Sequence, residues 1–175
     1  MKRWLLWVPL LAFVALVGLA LHGLYRPNDP VVRSALVGKP LPHVTLEPMV
    51  PGKPGIALAD YATGQPRLLN VFASWCVPCI AEAPQLMALQ AAGARIDAVA
   101  IRDTPAAVQR FLTEHGDPYR RIGDDPRSAV QFALGSSGVP ETFVIDGRGR
   151  ITMQHIGPIN ASDVNHILQA LEDAR

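Results

Sequence analysis

The chain has few cysteines and few charged residues for its length. Its 175 residues include 2 cysteines, too few for a disulfide-stabilised miniprotein or an all-cysteine zinc site. Charged residues make up 18% and the formal net charge is +1, which does not favour nucleic-acid binding. Apolar residues make up 49%, enough for a hydrophobic core, and there is no internal repeat. These values predict one globular domain with an appendage.

The N-terminus carries a long segment without charge. Residues 4–25 are uncharged, and a helix of that length could span the roughly 30 Å hydrocarbon core of a bilayer. Lys2 and Arg3 precede this segment, so the positive-inside rule places the N-terminus in the cytoplasm. We expect residues 1–25 to be a single-pass anchor, in a bacterium in the inner membrane, with the rest of the chain in the periplasm. A cleavable signal peptide is the alternative.

The remaining sequence predicts a linker followed by one α/β domain. Residues 26–40 are rich in proline and polar groups and predict the linker, and residues 41–175 form the domain. Extended segments are expected at 44–46, 56–58, 67–73, 96–101, 142–146 and 150–156, and helices at 80–92, 104–116, 125–134 and 162–172. This order predicts a mixed central sheet flanked by helices.

Both cysteines lie in the segment Trp75-Cys76-Val77-Pro78-Cys79, between a predicted strand and a predicted helix. Unpaired backbone N–H groups and the helix dipole stabilise a thiolate at a helix N-terminus, which lowers the pKa of the thiol. We therefore expect Cys76, in an exposed turn, to attack a disulfide. Cys79, one turn into the helix, is expected to resolve the mixed disulfide.

Other chemistries fit this pair of cysteines less well. Covalent haem attachment requires a histidine after the second cysteine, and residue 80 is Ile80. A zinc site would require further ligands, and the histidines form no paired short motif. A structural disulfide closing so small a loop would add little stability. The pattern favours redox chemistry, and we expect no metal and no cofactor.

The segment WCVPC, preceded by LLNVFAS and followed by GVPETFVID, resembles the thioredoxin superfamily. With the lead-in GKPLPHVTLEP and the single anchor, the chain is similar to the membrane-anchored CcmG/DsbE proteins of cytochrome c maturation. The resemblance covers about residues 36–172 and implies a thioredoxin-like fold. It also implies a periplasmic reductant that keeps the CxxCH cysteines of apocytochrome c reduced for haem attachment. Its expected electron donor is a membrane protein of the DsbD/CcdA type.

The resemblance implies a substrate-binding segment beside the dithiol. Val139 and Pro140 match the segment in which thioredoxin-like proteins hold a cis proline against the disulfide. A proline there leaves the backbone of the preceding residue free to pair with an extended peptide. Without the resemblance, an ordinary turn proline would be the better interpretation. Trp75 is expected to face the substrate, although a packing role is an alternative.

The resemblance also points to two acidic site residues, Glu82 and Glu141, which match acidic positions of the subgroup. Asn70 stands where general thioredoxins carry a buried aspartate that assists deprotonation of the second thiol, and asparagine cannot titrate. The proton acceptor for Cys79 would then be water, Glu82 or Glu141. The alternative for Glu82 is a solvated first-turn residue that interacts with the helix dipole.

The leading hypothesis is therefore a thiol:disulfide oxidoreductase that reduces apocytochrome c. The first alternative is a TlpA/ResA-like reductase that serves other disulfide-bearing exported proteins, such as copper-site assembly proteins. A third hypothesis, from a different class, is a copper chaperone that holds Cu(I) between the two thiolates.

Overall fold

The computed structural model describes residues 7–25 and 34–175 and divides the chain into two compact units. The first unit contains helix α1, Trp7–Tyr25. The start of the expected anchor, including Lys2 and Arg3, lies outside the described residues. In the two described ranges, no helix combines the length and the apolar character that crossing a membrane requires. The predicted transmembrane helix is therefore not supported by the structure.

Within residues 34–175, the second unit contains a two-stranded sheet, a five-stranded sheet and four α-helices. The strands are β1 (Thr45–Leu46), β2 (Ile56–Ala57), β3 (Arg67–Phe72), β4 (Ile96–Ile101), β5 (Tyr119–Asp125), β6 (Glu141–Ile145) and β7 (Ile151–Ile156). The helices are α2 (Val77–Ala91), α3 (Pro105–His115), α4 (Ala129–Ala133) and α5 (Val164–Asp173), with a 3-10 turn at Leu58–Tyr61. This arrangement confirms the predicted α/β class with a mixed central sheet.

The five-stranded sheet has the order β5-β4-β3-β6-β7. Strands β3, β4 and β5 are parallel, whereas β6 runs antiparallel to β3 and β7 runs antiparallel to β6. Every residue of β3, β4 and β6 is buried, as the continuous apolar runs predict. Because β3 and β4 are parallel, the segments that follow their carboxyl ends lie close together at the same end of the sheet. The cysteine pair follows β3 at that end.

Strand β5 is absent from the expected secondary structure. Its sequence, YRRIGDD, lacks both a continuous apolar run and a regular alternation, because it lies at the side of the sheet and buries only part of its length. The residues that anchor it in the core include Tyr119 and Ile122, which are fully or almost fully buried. A register shift against β4 between Ile96 and Asp97 further disturbs the pattern.

The start of helix α4 also differs from the expectation. The Asp125-Pro126 pair predicts a helix beginning there, but α4 begins at Ala129. The Asp125 carboxylate nevertheless accepts hydrogen bonds from the backbone N–H groups of Ala129 at 2.7 Å and Val130 at 2.8 Å. Asp125 thus caps the helix across an intervening turn, in which Ser128 has a φ of 55°.

The residues before β3 cover parts of both edges of the sheet. On the β7 side, Gly38 N–H donates to the carbonyl of Ile151 at 2.7 Å. This contact lies within residues 34–40, so the folded unit begins earlier than the predicted boundary at residue 41. On the β5 side, Met49 N–H donates to the carbonyl of Ile122 at 3.0 Å. The lead-in is therefore hydrogen-bonded to the sheet at both sides.

An aromatic cluster packs α3 against the sheet beside the cysteine-bearing segment. Phe72, the last residue of β3, is fully buried. Its ring centroid lies 5.4 Å from that of Phe111 on α3 and 5.1 Å from that of Tyr119 on β5. Each ring buries a large apolar area, so this cluster stabilises the end of the strand that leads into the cysteines.

We predict that Phe72→Ala lowers the free energy of unfolding by about 3–5 kcal/mol, because it leaves a cavity among the aromatic rings. Phe132→Ala is the matched control: Phe132 is 73% exposed on α4, and its replacement should change the free energy by less than about 0.5 kcal/mol. Urea unfolding of the full chain, followed by circular dichroism, measures both values. Similar losses in the two variants would contradict the assigned core.

Candidate active site

The cysteines form a disulfide at the N-terminus of α2. Cys76 is the N-cap residue and Val77 the first residue of the helix, so the helix begins inside the CxxC motif and earlier than predicted. The Cys79 N–H donates to the Cys76 sulfur at 3.2 Å. Pro78 occupies the first turn, where a proline costs no helical hydrogen bond. This placement gives the Cys76 sulfur the helix-terminal donor that stabilises a thiolate.

Both cysteine side chains are buried, although the turn around them is exposed. Cys76 itself is only 4% exposed in this oxidised form. Its neighbours Trp75 and Val77 are 56% and 74% exposed. The turn is therefore exposed, as expected, while the Cys76 side chain within it is buried. Cys79 is 1% exposed, as expected for a resolving cysteine inside the helix.

A buried hydrogen bond links α2 to the centre of the sheet. Glu82 lies three residues after Cys79, so the two side chains are neighbours on the buried face of the helix. Asn70 Nδ2, on β3, donates to Glu82 Oε1 at 3.0 Å, and the Ile159 N–H donates to Glu82 Oε2 at 3.0 Å. Glu82 is therefore not the solvated first-turn residue of the alternative interpretation. It is a buried carboxyl group on the same helix face as the second thiol.

Burial determines the titration of this carboxyl group. Removal from water disfavours its charged form, whereas the hydrogen bonds from Ile159 and Asn70 favour that form. Burial has the larger effect, so the pKa of Glu82 is raised from 4.5 to about 7. A group with this pKa exchanges its proton near neutral pH, where thiol:disulfide exchange proceeds.

Two further residues hold the Asn70 amide in place, and neither is recognisable from the sequence. The Tyr119 hydroxyl donates to Asn70 Oδ1 at 2.9 Å, and Asn70 Nδ2 also donates to Thr142 Oγ1 at 3.0 Å. Burial, and then the charge of Glu82, raise the pKa of Tyr119 well above its usual value, so its hydroxyl stays a donor. Thr142 pairs with Asn70 across β3 and β6, a contact that only the register reveals.

The expected cis proline is present. The Val139–Pro140 peptide bond is cis, as the resemblance predicts. Pro140 immediately precedes β6, and Glu141 pairs with Val71 near the end of β3. The proline therefore lies at the same end of the sheet as the cysteine segment that follows β3.

Glu141 is as buried as Glu82 but lies on the other side of the sheet. It pairs with Val71, whereas Asn70 and Thr142 pair at the next position, so its side chain points to the opposite face. Glu141 Oε1 accepts hydrogen bonds from Ser137 N–H at 2.8 Å and Ser137 Oγ at 2.5 Å. The Glu141 carboxylate thus fixes Ser137, which lies in the loop that contains the cis Pro140.

Trp75 is held in place although it is largely exposed. Its indole Nε1–H donates to the carbonyl of Arg102, just after β4, at 3.2 Å. The ring is therefore fixed on the surface next to the disulfide, an arrangement that favours the substrate-facing role over a packing role. Within the two described ranges, no three histidine, cysteine, aspartate or glutamate side chains converge as metal ligands.

The raised pKa of Glu82 predicts a pH-dependent stability. The native state binds the Glu82 proton more tightly than the unfolded chain, so the free energy of unfolding should fall as pH rises from about 4.5 to about 7. The contribution lost over this range is about 3 kcal/mol. Glu82→Gln cannot titrate and should show a correspondingly weaker fall. Denaturant unfolding of the oxidised protein between these pH values tests this, and equal pH slopes would contradict it.

Comparison with known proteins agrees with this site. The family model described as Redoxin matches residues 36–171. The thiol:disulfide interchange protein HelX of Rhodobacter capsulatus is 40% identical over 159 residues, which cover 91% of this chain and 90% of HelX. The thiol:disulfide interchange protein DsbE of Escherichia coli K12 is 40% identical over 166 residues, covering 91% of this chain and 89% of DsbE.

The solved structures agree in fold. The crystal structure of a putative thiol:disulfide interchange protein DsbE from Chlorobium tepidum superposes with a TM-score of 0.63 at 26% identity. It covers 77% of this chain and 94% of its own. Together with the Cys76–Cys79 disulfide at the start of α2, these similarities show that the chain belongs to the Redoxin family and is a thiol:disulfide oxidoreductase of thioredoxin-like fold.

Proposed function

We propose that the protein is a periplasmic reductant of the CxxCH cysteines of apocytochrome c, acting before covalent haem attachment. The observation that carries this proposal is the Cys76–Cys79 pair at a helix N-terminus, beside a cis proline, in a chain 40% identical to DsbE over nearly its whole length. The resemblance to the cytochrome c maturation subgroup rests on the lead-in GKPLPHVTLEP and on the GVPETFVID segment, which contains the cis Pro140 and Glu141.

The reaction transfers two electrons from the dithiol to the target. The Cys76 thiolate attacks one sulfur of the target disulfide, so a mixed disulfide forms and the other target sulfur leaves as a thiolate. Cys79 then loses its proton and attacks the Cys76 sulfur. The second target thiol is released, and the protein is left with the Cys76–Cys79 disulfide. Return to the dithiol requires an electron donor, for which we propose a membrane protein of the DsbD/CcdA type.

Glu82 is the proposed proton acceptor for Cys79. It is the neighbour of Cys79 on the buried helix face, and its pKa of about 7 suits proton exchange at neutral pH. Asn70, in the place of a titratable aspartate, donates to Glu82 and orients the carboxyl group. Glu141, on the other face of the sheet, is proposed instead to shape the substrate site through Ser137.

We propose that substrates dock beside the cis proline and Trp75. In this proposal the backbone of Val139 pairs with an extended peptide, and the cis proline that follows it has no N–H to compete. The fixed indole of Trp75 supplies an apolar surface next to the disulfide. Specificity for the target would then come from the surface around the dithiol, while the dithiol itself supplies the electrons.

We also propose that residues 1–25 anchor the domain at the inner membrane, with the N-terminus in the cytoplasm. The support is the uncharged run of residues 4–25, which begins three residues before α1, and the preceding Lys2 and Arg3. An anchor would hold the dithiol near a membrane electron donor and raise their effective concentration.

Trapping the mixed disulfide tests the target and the location together. In a bacterium that makes cytochrome c, full-length Cys79→Ala should accumulate a disulfide-linked complex with apocytochrome c, because the resolving thiol is absent. The complex should sediment with membranes and be open to protease from the periplasm. Acid quenching, membrane fractionation and mass spectrometry identify it.

Cys76→Ala is the matched control for this experiment and should trap much less, because it lacks the attacking sulfur. Recovery of a copper-site assembly protein in place of apocytochrome c would favour the TlpA/ResA-like alternative. A complex found only in the soluble periplasmic fraction would contradict the anchor.

The two buried glutamates should behave differently in a kinetic comparison. Glu82→Gln should slow release of the second thiol by about tenfold or more with any disulfide, since proton transfer from Cys79 is impaired. Glu141→Gln should slow reduction of an oxidised CxxCH peptide but not of a small aromatic disulfide, because it disturbs only the docking segment. Stopped-flow assays with both substrates give these rates. Equal slowing of both substrates by Glu141→Gln would refute its proposed role.

A further inference from the structure

The two residues before the attacking cysteine are hydrogen-bonded to the two residues that follow β4. Ser74 N–H donates to Asp103 Oδ2 at 2.5 Å, and Ser74 Oγ donates to Asp103 Oδ1 at 2.9 Å. The indole of Trp75 donates to the carbonyl of Arg102 at 3.2 Å. The turn that contains Ser74 and Trp75 is thus hydrogen-bonded to the two residues that follow β4.

The segment that receives these bonds is itself held firmly. Asp103 Oδ1 also accepts the N–H of Thr104, which is the N-cap residue of α3, at 2.8 Å. Arg102 N–H donates to the carbonyl of Asp125 at 3.2 Å, and Arg102 has a φ of 46°, a left-handed conformation that is uncommon for residues other than glycine. Such conformations persist where the surrounding contacts determine them and are frequent near functional sites.

We propose that Asp103 is a positioning residue for thiol:disulfide exchange, which holds Ser74 and Trp75 so that the Cys76 sulfur stays at the N-terminus of α2. The sulfur accepts the Cys79 N–H at 3.2 Å, a contact that depends on where the turn enters the helix. A turn released from Asp103 would let the sulfur move away from this donor and lose the stabilisation of its thiolate.

The charge of Asp103 acts in the opposite direction. It lies in an acidic region at this end of the sheet, where Asp125 and Asp103 contribute, after burial, to a raised pKa of Asp124. A negative charge near Cys76 disfavours the thiolate. If Asp103 acted only through its charge, its removal would make Cys76 more reactive. The positioning role predicts the reverse for a variant that loses the hydrogen bonds.

The test measures alkylation of Cys76 by iodoacetamide in the reduced full-length protein across a range of pH. Asp103→Ala should react about threefold or more slowly than wild type at neutral pH, equivalent to a rise of about half a unit in the thiol pKa. Asp103→Asn removes the same charge but keeps an acceptor for Ser74, so it should react at least as fast as wild type. Asp103→Ala reacting as fast as wild type or faster would overturn the proposal.

Variants of Ser74 test the same contact with the carboxylate in place. Ser74→Ala removes the hydroxyl donor and should slow alkylation, whereas Ser74→Thr keeps the donor and should restore the wild-type rate. These two variants decide the matter if Asp103→Ala does not fold, and equal rates for them would then refute the proposal. Alkylation needs no protein target, so the result is independent of whether apocytochrome c is the substrate.

Discussion

The hydrogen bond between Asn70 and Glu82 joins the central strand to the helix that carries the dithiol. The chain leaves β3, passes through the cysteines and enters α2. The hydrogen bond joins Asn70 in β3 to Glu82 in α2, twelve residues further along the chain. A buried carboxyl group without a partner would be costly, so α2 cannot turn away from the sheet without losing this contact. Tyr119 and the Ile159 N–H complete the network and restrict the helix further.

This network also bears on the proposed role of Glu82 as the proton acceptor for Cys79. A fully solvated carboxylate would be ionised and a poor partner for a thiol proton, whereas a carboxyl group in a purely apolar site would hold its proton too tightly. Burial raises the pKa of Glu82, and the donors Asn70 and Ile159 limit the rise to about 7. Asn70 in β3 therefore lowers the pKa of a carboxyl group, Glu82, that lies on α2.

The sequence predicted the features that depend on local pattern. The buried strands β3, β4 and β6, the hairpin from β6 to β7 and the CxxC motif at a strand-to-helix junction follow from apolar runs and turn residues. The cis Pro140 required the family resemblance. The sequence could not predict the shielding of Cys76 or the partners of Asn70, because these depend on strand register and on side chains distant along the chain. Strand β5 was missed because its side chains are largely polar.

The lead-in that covers the sides of the central sheet limits where another polypeptide can pair with that sheet. Exposed strand edges are templates on which other polypeptides add as extra strands and aggregate. The Gly38 N–H donates to the carbonyl of Ile151 on β7, and the Met49 N–H donates to the carbonyl of Ile122 on β5. Without these bonds, both sides of the sheet would offer other polypeptides a place to attach. With these groups already paired, the proposed docking of an extended target beside the cis proline would meet less competition from the sides of the sheet.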